Sequence, residues 1–139
     1  MSSIKMDKAI KERCPCGTGK SYGECCLPIH EGALAETPEA LMRSRYSAFY
    51  FNLDPYLLES WHSSTRPESL EVEDAPKIKW LLLKIRQTGK DLKDREAPDF
   101  VEFEARYSVN GKAGKFIERS RFLKEAGHWR YLDGEFLEA

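Results

Sequence analysis

The chain has 139 residues, 41% hydrophobic and 12% aromatic, which is enough for one ordinary core with a small appendage and too little for several large domains. Lys and Arg total 22 against 23 for Asp and Glu, so bulk charge does not indicate binding to nucleic acid or to an anionic membrane. Residues 1–13 alternate charged residues with single apolar ones. We therefore expect neither a signal peptide nor a membrane span there, and we predict a cytoplasmic protein.

All four cysteines fall within a short segment: Cys14, Cys16, Cys25 and Cys26. A disulfide framework would connect distant segments, and thiols stay reduced in the cytoplasm, so this clustering favours a metal site. Four thiolates form a closed tetrahedral Zn²⁺ site with no open position for substrate. The sequence therefore predicts a structural zinc ion bound by the four cysteines.

The residues between the cysteines suit this role. Gly17, Gly19 and Gly23 allow sharp backbone turns, and Lys20 can offset part of the thiolate charge. Because so short a segment cannot bury a core of its own, metal binding would supply most of its folding free energy. We expect residues 10–30 to become disordered without zinc while the rest of the chain stays folded.

Other uses of the cysteines are a redox dithiol, an iron–sulfur cluster or incidental free thiols, but the usual spacings for the first two differ from this one. A second alternative concerns the fourth ligand. His30 lies four residues beyond Cys26 and could replace one cysteine in a Cys₃His site.

The cysteine segment resembles the SEC-C motif, the zinc-binding element at the C-terminus of the SecA preprotein translocase ATPase. It reads C-P-C-G-T-G-K from Cys14 to Lys20 and continues with Tyr22 and the Cys25-Cys26 pair. Thr18 stands where Ser is commoner, and it keeps the hydroxyl. The resemblance implies zinc ligation by the four cysteines and docking to a protein partner.

Two helices are predicted after this segment. Thr37-Pro38-Glu39 combines an N-cap hydroxyl, a proline at the first helical position and an acid in the first turn. The apolar residues that follow form one stripe, which consists of Leu41, Met42, Tyr46, Ala48, Phe49, Tyr50 and Leu53. Asp54-Pro55 repeats the cap signal and predicts a second helix that ends at Trp61-His62. Residues 63–76 read as a connector.

From residue 79 the pattern alternates with a period of two. The predicted strands are Trp80–Thr88, Phe100–Val109, Lys115–Leu123 and His128–Asp133, with a solvated loop over Gly89–Pro98. Asn110-Gly111 and Glu125-Ala126-Gly127 favour tight hairpins, so the last three strands should form an antiparallel meander. Helices followed by such a sheet predict an α+β fold, with the helices packed on one face of a curved sheet in a cone.

The whole chain resembles the YchJ family through three segments: residues 41–49 (LMRSRYSAF), residues 56–62 (YLLESWH) and residues 118–122 (ERSRF). This resemblance implies a SEC-C element joined to an NTF2-like domain. We place the zinc knuckle at residues 1–32 and the NTF2-like domain at residues 33–139.

A candidate pocket lies on the third predicted strand, where Phe116, Glu118, Ser120 and Phe122 share one face. A carboxylate among aromatic rings is costly unless it is paired, so we predict that Glu118 is ionised and paired with an arginine of the first helix. The candidate pocket residues are Arg43, Arg45, Tyr46, Trp61, His62, Glu118, Ser120 and Trp129. The competing interpretation, which we favour, is a structural Arg–Glu pair with Trp61, Trp80 and Trp129 in the core.

Two functions remain. The first is a zinc-stabilised module that binds a protein partner through the knuckle or a small molecule in the cone. The second is an enzyme of the isomerase or dehydratase type, with Glu118 and His62 as acid and base. The sequence contains no phosphate loop, no catalytic metal set and no nucleophile spaced with a base, so the first hypothesis is preferred.

Overall fold

The structure, a computed structural model, describes residues 8–70, 78–90 and 98–138. A 3₁₀ turn at Tyr22–Glu24 is followed by the helices α1 (Cys26–His30), α2 (Pro38–Phe51) and α3 (Asp54–Glu59). The strands come after them: β1 (Ile78–Gly89), β2 (Asp99–Val109), β3 (Lys112–Glu125) and β4 (His128–Glu138). The predicted α+β order is confirmed.

Helix α2 begins as predicted from its cap. The Thr37 hydroxyl accepts a hydrogen bond from the Ala40 N–H at 3.0 Å, and Pro38 opens the first turn. The helix ends at Asn52, whose left-handed backbone (φ 59°) closes the last turn. Capping at both ends is therefore encoded locally.

The strands form one antiparallel sheet in the order β1-β2-β3-β4, so the meander includes the first strand as well. The β2–β3 turn has positive φ at both Asn110 and Gly111, and the β3–β4 turn has it at Ala126 and Gly127. This backbone geometry belongs to two-residue hairpin turns whose twist matches that of the strands. Both hairpin predictions are confirmed. Register shifts in the β1–β2 and β3–β4 pairings mark bulges, which bend a sheet.

Several element boundaries differ from the predictions, and two of them bear on the candidate site. Helix α3 ends at Glu59, so Trp61 and His62 lie beyond it, and Trp61 instead forms a bridge with Tyr131. Strand β4 continues five residues past Asp133 because it pairs with β3 as far as Ile117. Residues 71–76 of the predicted connector and residues 91–97 of the predicted loop lie outside the described residues.

Helix α2 packs against the sheet, and its buried surface differs from the predicted stripe. Phe49 and Tyr50 are 40% and 47% exposed, whereas Ser44, Arg45 and Ser47 are buried. The reason is that α2 is covered on several sides, by the cysteine segment, by α3 and by the sheet. In the parts of the chain that the structure describes, no helix is long and apolar enough to cross a membrane.

The hydrophobic core spans the predicted boundary between residues 32 and 33. It joins side chains of the cysteine segment, of α2 and of the sheet: Cys14, Cys16, Tyr22, Cys26, Leu41, Met42, Tyr46, Leu83, Val101, Phe103, Ala105 and Phe122. The cysteine segment is thus packed into the same core as the sheet.

Candidate metal centre and ligand cavity

The four cysteines converge as their spacing predicted. Their sulfur atoms all lie within 4.8 Å of one another, and Cys14, Cys16 and Cys26 are buried. Backbone hydrogen bonds of 2.8 Å from Cys14 N–H to the Lys20 carbonyl and from Tyr22 N–H to the Glu12 carbonyl close the loop. The cluster could hold a metal ion.

Gly17 and Gly19 provide the turn between the two halves of the cluster. Their φ angles are 87° and 89°, in the left-handed region that side chains with a Cβ rarely adopt. The turn returns the chain to the cluster, and the Thr18 hydroxyl lies 3.1 Å from Cys25 Sγ. The glycine pattern of the sequence therefore has the predicted structural role at these two positions.

Helix α2 supports the cluster from the inside. The Ser47 hydroxyl lies 3.3 Å from Cys14 Sγ and donates to Cys26 Sγ at 3.4 Å. Arg43 Nη1 donates to the Cys16 carbonyl at 2.6 Å, while its Nε pairs with Glu39. Two side chains one helical turn apart therefore hold the cysteine segment.

His30 is not positioned as a ligand. Its Nε2 lies 2.7 Å from the Ser44 carbonyl, an acceptor, so this nitrogen carries the proton. Its Nδ1 lies 2.6 Å from the Tyr22 hydroxyl and accepts from it. Burial lowers the pKa of His30, which is consistent with a neutral ring. The Cys₃His alternative is therefore wrong for this geometry.

The crowded sulfur atoms have pKa values that diverge. Hydrogen bonding, chiefly with Cys14, lowers the pKa of Cys16 and raises that of Cys26, and burial raises the pKa of Cys25 to about 11. Four neighbouring thiols cannot all ionise without a cation between them. Metal binding here must therefore release protons.

A cavity of about 170 Å³ lies between α2 and the sheet. Most of its wall is apolar, and the polar groups on it are few. It is lined by Met42, Arg45, Tyr46, Phe49, Trp61, Trp80, Phe103, Ala105, Phe116, Glu118, Ser120 and Tyr131. The predicted face of β3 therefore looks into a cavity.

Five of the eight candidate pocket residues meet in this cavity: Arg45, Tyr46, Trp61, Glu118 and Ser120. The other three lie elsewhere. Arg43 faces the cysteine segment, and His62 is half-buried with its Nδ1 2.8 Å from the Ser64 hydroxyl. Trp129 packs near the β3–β4 hairpin, where Lys124 Nζ lies 5.2 Å from the centre of its ring.

Arg45 is the most unusual residue of the wall. It is only 3% exposed, and its Nη1 donates to the Leu57 carbonyl at 2.7 Å and to the Ser60 hydroxyl at 2.6 Å. Its guanidinium carbon lies 4.5 Å from the centre of the Tyr131 ring and 5.2 Å from that of Trp61. Burial lowers its pKa to about 10, so it stays cationic at neutral pH.

Glu118 is not paired with Arg43 or Arg45 of α2, and the predicted ion pair is wrong. Within the described ranges, no arginine or lysine lies within 4.0 Å of its carboxyl group, which instead accepts a 2.6 Å hydrogen bond from the Ser120 hydroxyl. Burial raises the pKa of Glu118, and the Ser120 hydrogen bond and the more distant Arg45 only partly oppose this. The predicted depression of its pKa is therefore also wrong.

Sequence reasoning missed Tyr131 and Gly134, both on β4. A Cβ on Gly134 would collide with Glu118 Oε2 and would lie 3.1 Å from the Tyr131 hydroxyl. The missing side chain at Gly134 therefore makes room for the Glu118 carboxyl group beside Tyr131. The signal in the sequence was a glycine inside a strand, which often marks a place where another group approaches the backbone closely.

Two family descriptions match the chain. Residues 11–28 match the SEC-C motif, and residues 37–134 match the YchJ, middle NTF2-like domain. Both resemblances drawn from the sequence are confirmed.

Proteins of similar length match nearly the whole chain. A UPF0225 protein of Chromobacterium violaceum is 44% identical over 134 residues, which cover 94% of this chain and 98% of that protein. A UPF0225 protein of Bordetella pertussis is 46% identical over 135 residues, which cover 95% of this chain and 98% of that protein.

Two solved structures share the fold. The solution structure of a SEC-C motif containing protein from Rhodopseudomonas palustris has a TM-score of 0.75 and 32% identity, and covers 90% of this chain and 98% of that one. The crystal structure of a SEC-C motif containing protein from Psychrobacter arcticus has a TM-score of 0.72 and covers 95% and 86%. At 24% identity, the second supports the fold alone.

Proposed function

Since the chain belongs to the UPF0225 family of YchJ-like proteins, with a SEC-C motif and an NTF2-like domain, we propose that it is a zinc-stabilised module that binds a small molecule. The observation that carries this proposal is the cavity between α2 and the sheet, whose wall contains a buried arginine and a half-buried glutamate that are not paired with each other. Such groups are costly when nothing binds them.

Zinc is proposed from the chemistry of the donor set. A regular tetrahedron of thiolates around Zn²⁺ has sulfur–sulfur edges of about 3.8 Å. The observed separations of at most 4.8 Å fit one ion, whereas an iron–sulfur cluster would place its own atoms between the thiolates and hold them further apart. Four thiolates leave no coordination position open, so the ion is structural. It holds the cysteine segment in the conformation that packs against α2.

The size of the cavity limits the ligand. An apolar protein cavity of about 150 Å³ is large enough to bind benzene. The volume of about 170 Å³ therefore suits one ring, or a branched aliphatic group, with a small polar substituent. Small-molecule sites typically combine such an apolar wall with a few polar groups that orient the ligand.

The enzyme hypothesis has less support. It requires Glu118 and His62 to act on one substrate, but only Glu118 lines the cavity, and the His62 ring is hydrogen-bonded to Ser64. The docking of a protein partner to the knuckle stays a prediction.

The proposal is tested by titrating the protein with phenol, phenylacetate, phenylacetamide and phenethylamine in a two-dimensional NMR experiment. We expect at least one probe to shift the indole resonances of Trp61 and Trp80, which line the cavity, and to leave Trp129 unmoved. Ala105→Leu should block this binding because Ala105 faces the cavity, and Ala113→Leu, at an exposed position of β3, should not. Failure of all four probes to move Trp61 and Trp80 would contradict the proposed function.

A further inference from the structure

The charge of Arg45 has no counterion among the described residues. More exposed arginines have one: Arg43 pairs with Glu39 at 3.0 Å, and Arg106 pairs with Glu104 at 2.9 Å. For Arg45, no carboxylate of residues 8–70, 78–90 or 98–138 lies within 4.0 Å. A buried cation without an anion is strongly unfavourable, so the site is suited to receive one.

The hydrogen bonds of Arg45 leave part of its guanidinium available. Nη1 donates both of the hydrogen bonds that Arg45 makes to described residues, and both acceptors belong to α3 or its C-terminal end. Arg45 also lines the cavity. Its Nε and Nη2 are thus the donors that remain for a ligand. A guanidinium binds a carboxylate with two parallel hydrogen bonds, which orient as well as attract it.

The other polar groups converge on the same place. The Tyr131 ring lies against the Arg45 guanidinium, and the Tyr131 hydroxyl and the Glu118 carboxyl group both border the space above Gly134. The described residues provide no hydrogen-bond partner for the Tyr131 hydroxyl. One cation, one phenol and one carboxyl group therefore surround one end of a largely apolar cavity.

We propose that the ligand is a small monocarboxylate with an aromatic or branched aliphatic group, its carboxylate at Arg45 and its apolar group among Trp80, Phe103 and Phe116. This inference rests on the proposed function and specifies its ligand class. An amine is disfavoured because Arg45 would repel it. A dianionic phosphate is disfavoured because its second charge would lie near Glu118 without a cation of its own.

Glu118 makes the proposed binding dependent on pH. Two carboxylates side by side do not both stay ionised, so the bound ligand and Glu118 share one proton, which is taken up from solvent on binding. The other titratable groups near Glu118 do not change their protonation state at neutral pH. Burial raises the pKa values of Tyr46 and Tyr131 to about 12, and Arg45 stays cationic. Affinity should therefore fall as the pH rises.

The test compares phenylacetate with phenylacetamide and phenethylamine, which have the same ring, by calorimetry at pH 6 and pH 8. Acetate controls for the apolar group. We expect phenylacetate to bind about tenfold or more tightly than phenylacetamide at pH 6, because a hydrogen bond to a charged group is stronger than one to a neutral group. Acetate and phenethylamine should bind more weakly still. Equal or tighter binding of the amide or the amine would overturn the ligand class and leave the proposed function standing, whereas no binding by any probe would overturn both.

Two variants assign the effect to residues. Arg45→Met should remove the preference for phenylacetate over phenylacetamide, whereas Arg121→Met, which removes a cation paired with Asp133 on the other face of β3, should keep it. If Arg45→Met does not fold, Glu118→Gln still tests the proposal, because it should bind phenylacetate with equal affinity at pH 6 and pH 8. The same pH dependence in Glu118→Gln and in the wild type would overturn the shared-proton arrangement.

Discussion

The cysteine cluster and the cavity lie on different faces of α2, and they differ in whether their polar side chains are paired. Around the cluster, Ser47 and His30 have hydrogen-bond partners, and the charge of Arg43 is paired with Glu39. In the cavity, the buried Arg45 and the half-buried Glu118 have no ion-pair partner among the described residues. Complete pairing is typical of a structural site, and incomplete pairing of a site that awaits a ligand.

The largest effect is expected from breaking the cluster. Cys16→Ser should abolish stoichiometric zinc binding and destabilise the protein by several kcal/mol, because Cys16 is fully buried and structural zinc supplies about 10 kcal/mol or more of folding free energy in small domains. Elemental analysis and thermal unfolding measure the two effects. Thr18→Ser is the control, since it keeps the hydroxyl beside Cys25. Full zinc occupancy in Cys16→Ser would contradict the assignment.

Removal of the metal from the wild type should show which parts of the fold the cysteine cluster stabilises. We expect a chelator to expose the amides of residues 10–30 to hydrogen exchange, and those of α2 near Arg43 and Ser47 as well, because these side chains hold the cysteine segment. The amides of β2 and β3, at the centre of the sheet, should stay protected. Cooperative loss of protection throughout the sheet would show that the two regions are one folding unit.

A substitution beside the cluster that keeps all four cysteines should have a smaller effect. Ser47→Ala should weaken zinc binding about 10- to 100-fold, because the hydroxyl that orients Cys14 and Cys26 is lost. Ser44→Ala is a matched control: Ser44 is equally buried in α2, but its hydroxyl contacts Leu41 and Tyr56. Competition with a chromophoric chelator measures the affinity. Equal affinities for the two variants would exclude a role of Ser47 in metal binding.

The smallest effect is expected in the cavity. Burial raises the pKa of Glu118, so its ionisation costs stability, and this cost grows as the pH rises from the unfolded-state pKa to the folded-state pKa. Glu118→Gln should therefore raise the free energy of unfolding slightly at neutral pH, with a smaller difference in acid.

Glu102→Gln provides the contrast for this measurement. Glu102, on β2, is buried, but it pairs with Arg119 at 3.0 Å and with Arg86 at 3.5 Å. Its substitution should destabilise the protein by about 1 kcal/mol at neutral pH. Urea unfolding at pH 4 and pH 7 compares the two variants, and destabilisation by Glu118→Gln at pH 7 would contradict the unpaired state of Glu118.

Much of the molecule was predictable because the relevant signals are local. The cysteine spacing brings four thiols together within one short segment, Thr37-Pro38 starts α2, and Asn110-Gly111 suits a turn with two positive φ angles. Each of these features depends on residues close together in the chain. The face that Glu118 shares with Phe116 and Ser120 also follows from the alternation of a strand, which is why the cavity wall on β3 was predicted correctly.

What faces that wall was decided only by the tertiary structure. The sequence alone left Arg43 and Arg45 equivalent as partners of Glu118, but the packing of the cysteine segment against α2 uses Arg43, and α3 and Tyr131 hold Arg45. The end of α3 at Glu59 keeps the His62 ring out of the cavity, and the β3–β4 register brings Gly134 opposite Ser120. These placements depend on contacts between segments that are not adjacent in the chain, and local patterns of hydrophobicity and turn residues carry no information about such contacts.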